Sequence, residues 1–228
     1  MNSYIKKILK TISLIIFSIL ITIYMIEVVL SLYNISGYKY NRWAKLKRSK
    51  HEIYMDYKNS GKDIAVSISP SNFFLTINDE NKLYPLSGIS NKFTIFCNES
   101  GYWSTYQSDR YGFNNPDEEW DKSHFDFLLV GDSFALGACV QEPDTISGNL
   151  RSILNQGGVL NLGYSGNGPL LEYATLREYF KHIEAKNVLW LYYENDLQNF
   201  QLELSNKVLF KYLEDINFTQ DLINRQKE

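Results

Sequence analysis

Hydrophobic and polar positions fall along this chain in three different rhythms. Residues 11 to 26, TISLIIFSILITIYMI, carry no charge, and the apolar character continues through Glu27 into VVLSLY. Read as one segment from about Thr11 to Tyr33, it has roughly the ~20 residues a helix needs to cross a bilayer. A cleaved signal peptide would carry an apolar region of only about 7–15 residues ending at a small-x-small site, and no such site follows here. The pattern predicts an uncleaved transmembrane anchor over residues 1–34, with Glu27 toward one end of the span, where a charge costs less.

Residues 35–60 are polar and aromatic and read as a juxtamembrane linker. Over residues 61–120, short β-rich pieces such as IAVSISP and KFTIFC are broken by the turn clusters SPSN, NDEN and PLSG. That alternation predicts the strands and turns of a small lead-in region. Over residues 121–228 the pattern changes again. The apolar runs FDFLLV, GVLNLG and NVLWLYY are separated by the helical stretches DTISGNLRSIL and PLLEYATLREYF. Unalternated runs between amphipathic helices are what a parallel sheet covered on both faces produces, so the prediction is an α/β domain of three βα units. Three strands are few beside the usual ~4–6 of a sheet, so this reading expects further chain beyond Glu228.

Composition adds a packed core, since 44% of the residues are hydrophobic and 15% aromatic. The net charge of -3 points to no nucleic-acid partner. The basic cluster Lys39, Arg42, Lys45, Lys47, Arg48 and Lys50 reads as a membrane-surface flank. Two signals disagree about orientation. More Lys and Arg follow the apolar segment than the Lys6, Lys7 and Lys10 that precede it, which would put the C-terminal part in the cytoplasm. Cys97 and Cys139 are the only cysteines, and a single pair suits one disulfide in an oxidising, extracytoplasmic compartment, although two unrelated buried thiols fit the composition equally. No metal site is expected, because the cysteines and the three histidines are scattered without ligand spacing. No cofactor is expected either, for want of a dinucleotide or phosphate-loop motif.

In open α/β sheets, ligands sit outside the carboxyl ends of the strands. Each apolar run here ends there in a polar group: Gly131-Asp132-Ser133, then Gly163 to Gly168, then Glu194-Asn195-Asp196. Taken singly these have bland readings, because Gly, Asp, Ser and Asn are ordinary turn formers and Asn195-Asp196 could cap a helix. Taken in order, they resemble the SGNH/GDSL hydrolases, a family of lipases, esterases and polysaccharide O-acetyltransferases. VGDSF matches the first family block and puts the nucleophile at Ser133, and NLGYSGNG matches the second with its glycine at Gly166. YYEND matches the third in part, with Asn195 and Asp196 in place but Tyr193 where the family has glycine. SDRYGFNNPDEEW, residues 108 to 120, is similar to the lead-in of membrane-anchored bacterial members.

The resemblance implies a flavodoxin-like three-layer α/β/α domain with a parallel sheet. It also implies an acyl ester substrate, with cell-envelope polysaccharide as a candidate carrier. A serine hydroxyl attacking an ester generates an oxyanion, so donors must be aimed at it. The resemblance assigns that role to the Ser133 and Gly166 backbone N–H groups and the Asn195 amide. The family's base is a histidine of a late Asp-x-x-His, and no histidine follows residue 196. His51 falls in the linker. Asp121 to His124 has the spacing, but His124 precedes the first strand and Ser133 follows it, roughly 30 Å away at ~3.3 Å per residue. His182 ends the second helix, which runs back to that same end, and is expected to cap it. A base located beyond Glu228 is therefore expected. The alternative is a catalytically inert anchored domain that binds a carbohydrate or an envelope protein.

Overall fold

The computed structural model describes residues 3–45, 48–73, 79, 82–99, 101–154 and 157–228, with the backbone alone at 3, 33–45, 73 and 182. The chain divides into two compact units, Met1–Lys47 and Arg48–Glu228. The first is one helix, α1 (Ser3–Lys45), whose stretch Tyr4–Leu32 has a mean hydropathy of 2.5 and is long and apolar enough to cross a membrane. The helix continues past Tyr33 because residues 34–45 contain no proline, and the single Gly37 costs a helix only about 1 kcal/mol.

In the second unit, α2 (Lys50–Asn59) occupies most of the remaining stretch expected as linker. A reciprocal cap starts it: the Ser49 hydroxyl accepts from Glu52 N at 3.2 Å, and the Glu52 carboxylate accepts from Ser49 N at 2.6 Å. Tyr57 then packs edge-on against Phe93 of the lead-in sheet, ring centres 5.1 Å apart. That sheet contains β1 (Ile64–Val66), β2 (Phe93–Ile95) and β3 (Thr105–Gln107), with β2 parallel to β1 and antiparallel to β3.

The α/β part follows as β4 (Phe125–Gly131), α3 (Ser133–Leu136), α4 (Ile146–Leu154), β5 (Val159–Asn161), α5 (Pro169–Tyr179), β6 (Ala185–Leu191), α6 (Asp196–Leu204) and α7 (Lys207–Glu214). Its three strands are all parallel, in the order β5-β4-β6, as the three apolar runs predict. Leu128, Leu129 and Val130 of the central strand are all fully buried. Successive strand residues point to opposite faces, so both faces of β4 are covered. Edge strand β6 differs, leaving Val188 and Trp190 exposed.

Leu128 and Val130 join one core with Leu170 and Leu171 of α5 and Leu209 of α7, to which the lead-in region adds Tyr84, Leu86 and Phe113. The lead-in region is therefore packed into the α/β core and does not stand apart from it. A disulfide between Cys97, just after β2, and Cys139, just after α3, ties the two covalently across 42 residues, with a Cα–Cα distance of 5.2 Å.

Candidate active site

Ser133 owes its position to a turn with no room for side chains. A Cβ on Gly131 would lie 2.8 Å from Leu191 O and 2.9 Å from the Ala135 Cβ, so only glycine lets the strand turn this tightly into α3. Asp132 caps that helix, its carboxylate accepting from Phe134 N at 2.8 Å, and Gly137 ends it in the left-handed region. Ser133 is half-buried, and its Oγ lies 3.5 Å from Asp132 Oδ2, at the outer limit of a hydrogen bond.

The second strand end joins the first through Tyr164 N, which donates to Gly131 O at 3.1 Å. Gly166 has φ 78, and a Cβ there would lie 2.0 Å from Ser69 Oγ. Both facts require glycine, and the second brings in a neighbour from the lead-in region. The Ser69 and Ser71 hydroxyls are bonded at 2.6 Å, in a turn that Tyr84 Oη holds by donating to Pro70 O at 2.8 Å. At the third strand end, Asn195 begins α6 half-buried and makes no side-chain capping bond. The Asp196 carboxylate instead accepts from Tyr193 N at 2.7 Å and shapes the turn. The rings of Phe134 and Tyr193 meet with centres 4.4 Å apart, joining the first strand end to the third. Ser133, Gly166 and Asn195 thus occupy one edge of the sheet, on three connected turns.

A buried polar network behind this edge was not foreseen. Asp109 accepts from Tyr111 N, Phe113 N, Asn115 Nδ2 and Trp120 Nε1, all within 2.8–2.9 Å. Asn115 passes the connection on, donating to Asn161 O at 2.9 Å and accepting from Asn161 N at 2.9 Å. The Asn161 side chain then donates to Ala135 O at 2.6 Å and accepts from Gly163 N at 2.9 Å, holding the first two turns together. The signal for it was one asparagine in the otherwise apolar run VLNLG. A buried amide must satisfy both its donor and its acceptor, which marks a positioning group.

Carboxyls gather under the same turns. Glu203 of α6 accepts from Gly168 N at 2.5 Å, Leu170 N at 2.8 Å and Leu171 N at 3.3 Å at the start of α5. Burial still outweighs these donors and pushes its carboxyl up to about 7. Glu172 accepts from Trp190 Nε1 at 2.5 Å, and burial pushes it up to about 8, with Asp196, Asp132 and Glu203 adding to the rise. Asp196 is raised as well, first by burial and then by Asp132. Among the described residues, Asn167 Nδ2 and Oδ1, Glu172 Oε1 and Asp196 Oδ1 are buried without a hydrogen-bond partner.

Among the described residues, no histidine side chain is hydrogen-bonded to Ser133, whose Oγ meets only Asp132. His124 sits beside the opposite end of β4, where its Nδ1 is 3.2 Å from Glu184 Oε2. His51 lies on α2, and the side chain of His182, expected as a helix cap, falls outside the described residues. Among the described residues no group of three or more His, Cys, Asp or Glu is arranged to hold a metal ion. No family model, no curated protein and no solved structure matches the chain.

Proposed function

We propose that this is a membrane-anchored serine esterase or O-acyltransferase of the SGNH/GDSL type, acting on acyl esters through Ser133. One observation carries the reading. Ser133, Gly166 and Asn195 come from three separate strand ends and share the carboxyl edge of one parallel sheet, where ligands of open α/β folds bind. In this reading Ser133 Oγ attacks the acyl carbonyl and loses its proton to a general base. The acyl–oxygen bond to the alcohol breaks, and water or a second alcohol then accepts the acyl group. The Ser133 and Gly166 N–H groups and the Asn195 amide hold the oxyanion, each such donor contributing about 10²–10³ in rate. The described histidine side chains do not supply the base, which in this reading comes from outside the described residues.

The disulfide supports placing the globular unit in an oxidising, extracytoplasmic compartment with α1 as a single membrane span. A fluorophosphonate, with the adduct mapped by mass spectrometry, tests the chemistry. Label on Ser133 that disappears in Ser133→Ala supports the reading, and the absence of label or label on another residue sinks it. A second reading, an inert binding domain, is favoured by the lack of a described histidine hydrogen-bonded to Ser133. It predicts ligand binding at this edge that survives Ser133→Ala with no covalent capture.

A further inference from the structure

The parallel sheet has two outer strands, and the chain treats them differently. On β5 the outward backbone groups are met by side chains. Glu119 accepts from Val159 N at 3.1 Å, and Arg151 Nη2 donates to Val159 O at 2.9 Å. Asn115 accepts from Asn161 N and donates to Asn161 O, both at 2.9 Å. Such covering blunts an edge that would otherwise template another strand. β6 has no equivalent: among the described residues it pairs only with β4, and no described side chain hydrogen-bonds to its outer edge.

Which groups lie on that open edge follows from alternation. Phe127 N donates to Gly158 O and Leu129 O accepts from Leu162 N, so these odd-numbered backbone groups of β4 serve β5 and the even-numbered ones between them serve β6. With Leu128 beside Val188 and Val130 beside Trp190, the backbone groups of Val188 and Trp190 turn outward. Their side chains are open as well. Helix α7 packs with α5 over β4, Leu209 joining Leu128 and Leu170, and leaves Val188 41%, Trp190 47% and Tyr192 57% exposed. A parallel sheet normally buries such residues on both faces. Seven residues long and without proline, β6 is an open template for another strand.

We propose that the strand that pairs here is β6 of a second copy of this chain, running antiparallel about a two-fold axis at Trp190 and joining two sheets into one. In this register the sequence is self-complementary. Trp190 faces Trp190 of the other copy, Leu189 faces Leu191, Val188 faces Tyr192, and Lys186 faces Glu194 just beyond the strand end. The Lys186 ammonium meets Asp126 at 2.7 Å and has further donors for Glu194, which is exposed. Neighbouring registers lose the match. An axis at Leu189 sets Glu184 against Glu194, one at Leu191 sets Glu194 against Val188, and one at Val188 sets Lys186 against Trp190. Charge thus fixes the register, while burial of Val188, Trp190 and Tyr192 supplies the attraction. A two-fold contact uses each favourable pair twice, which a foreign strand does not. The proposal is independent of the esterase reading.

The test uses the full chain in detergent micelles and begins with a mixed disulfide. Directly opposed Cα atoms of an antiparallel pair lie about 5.5 Å apart, a distance that a disulfide spans. Val188→Cys chains mixed with Tyr192→Cys chains and mildly oxidised should therefore give a covalent dimer. Either variant oxidised alone should not, because identical positions then lie roughly 13 Å apart at the rise of a strand. One strand pair is a small interface, under about 1,200 Å², so a reversible monomer–dimer equilibrium is expected in sedimentation. Lys186→Glu should weaken it about tenfold or more by opposing like charges at both ends, and adding Glu194→Lys should restore it. Val188→Lys, at an exposed position, should weaken it as well, with circular dichroism confirming that the variant folds. A monomer at every concentration, no covalent dimer in the mixed sample, equal cross-linking of each variant alone, or a charge swap that restores nothing would overturn the proposal. Association that survives both Lys186→Glu and Val188→Lys would belong to another surface, such as α1, and would overturn it too.

Discussion

The first two strand ends and the third are held in place by different means. The turns at Ser133 and Gly166 are locked from behind by the Asp109, Asn115 and Asn161 network, covalently by Cys97–Cys139, and from the side by Ser69. The turn at Asn195 follows the edge strand β6, whose side chains are half exposed, and is shaped by the Asp196 carboxylate and the contact of Tyr193 with Phe134. The Ser133 side is thus preorganised by a network of buried polar groups, which stay costly to disturb, while the third turn rests on one buried carboxylate, Asp196, and on a contact between two exposed rings. Under the proposed function, this arrangement would hold the Ser133 hydroxyl fixed and leave the third turn freer to adjust.

The sharpest way to break this contrast is Asn161→Leu. It leaves Ala135 O and Gly163 N unsatisfied in a buried site, at about 1–3 kcal/mol for each orphaned group. Denaturant unfolding of the full chain should report a loss of about 2–5 kcal/mol, and a loss under 1 kcal/mol would mean that the network does not hold the turns. Replacing both Cys97 and Cys139 by Ser comes next, with an expected loss of about 2–4 kcal/mol from a closed loop of 42 residues. Thiol titration of the unreduced, denatured wild type should find no free thiol, and finding two would remove the link.

Glu172 gives an effect spread over several pH units, at most about 1.4 kcal/mol per pH unit for one proton. Its carboxyl is raised from 4.5 to about 8 in the folded chain, so the folded state binds more protons than the unfolded state between those values. Stability is therefore expected to be full below about pH 4.5 and to fall as pH rises through about 8. Glu172→Gln should flatten that part of the pH profile, and an unchanged slope would exclude Glu172 as its source. The smallest effect belongs to the third turn, where Tyr193→Ala should cost the fold under about 1 kcal/mol. A loss as large as that of Asn161→Leu would erase the distinction between the two regions.

Much of the architecture was legible in the chain. Apolar runs of FDFLLV type separated by amphipathic stretches predicted three parallel strands, and the polar residues that end them pointed to one edge, because period and sheet geometry are local rules. The apolar segment was equally plain, since length and hydropathy alone define it. Less legible were the contacts made across long separations. Nothing in residues 50–59 says that they form a helix docked on Phe93, because their polar composition suits a linker just as well. Serine at position 69 has no motif, and only folding sets its hydroxyl against Gly166, nearly a hundred residues away.

Sequence by itself determined the α/β alternation, the apolar helix and the identity of the polar groups at the strand ends. These depend on the spacing of side chains along one backbone, which is written in order. Tertiary structure alone decided that Asp109 reaches Asn161 through Asn115 and that the rings of Phe134 and Tyr193 meet. Those pairings come from packing several elements into one core at once. No local pattern records which buried amide will find which partner, because many pairings satisfy the same composition and only one satisfies every buried donor and acceptor together.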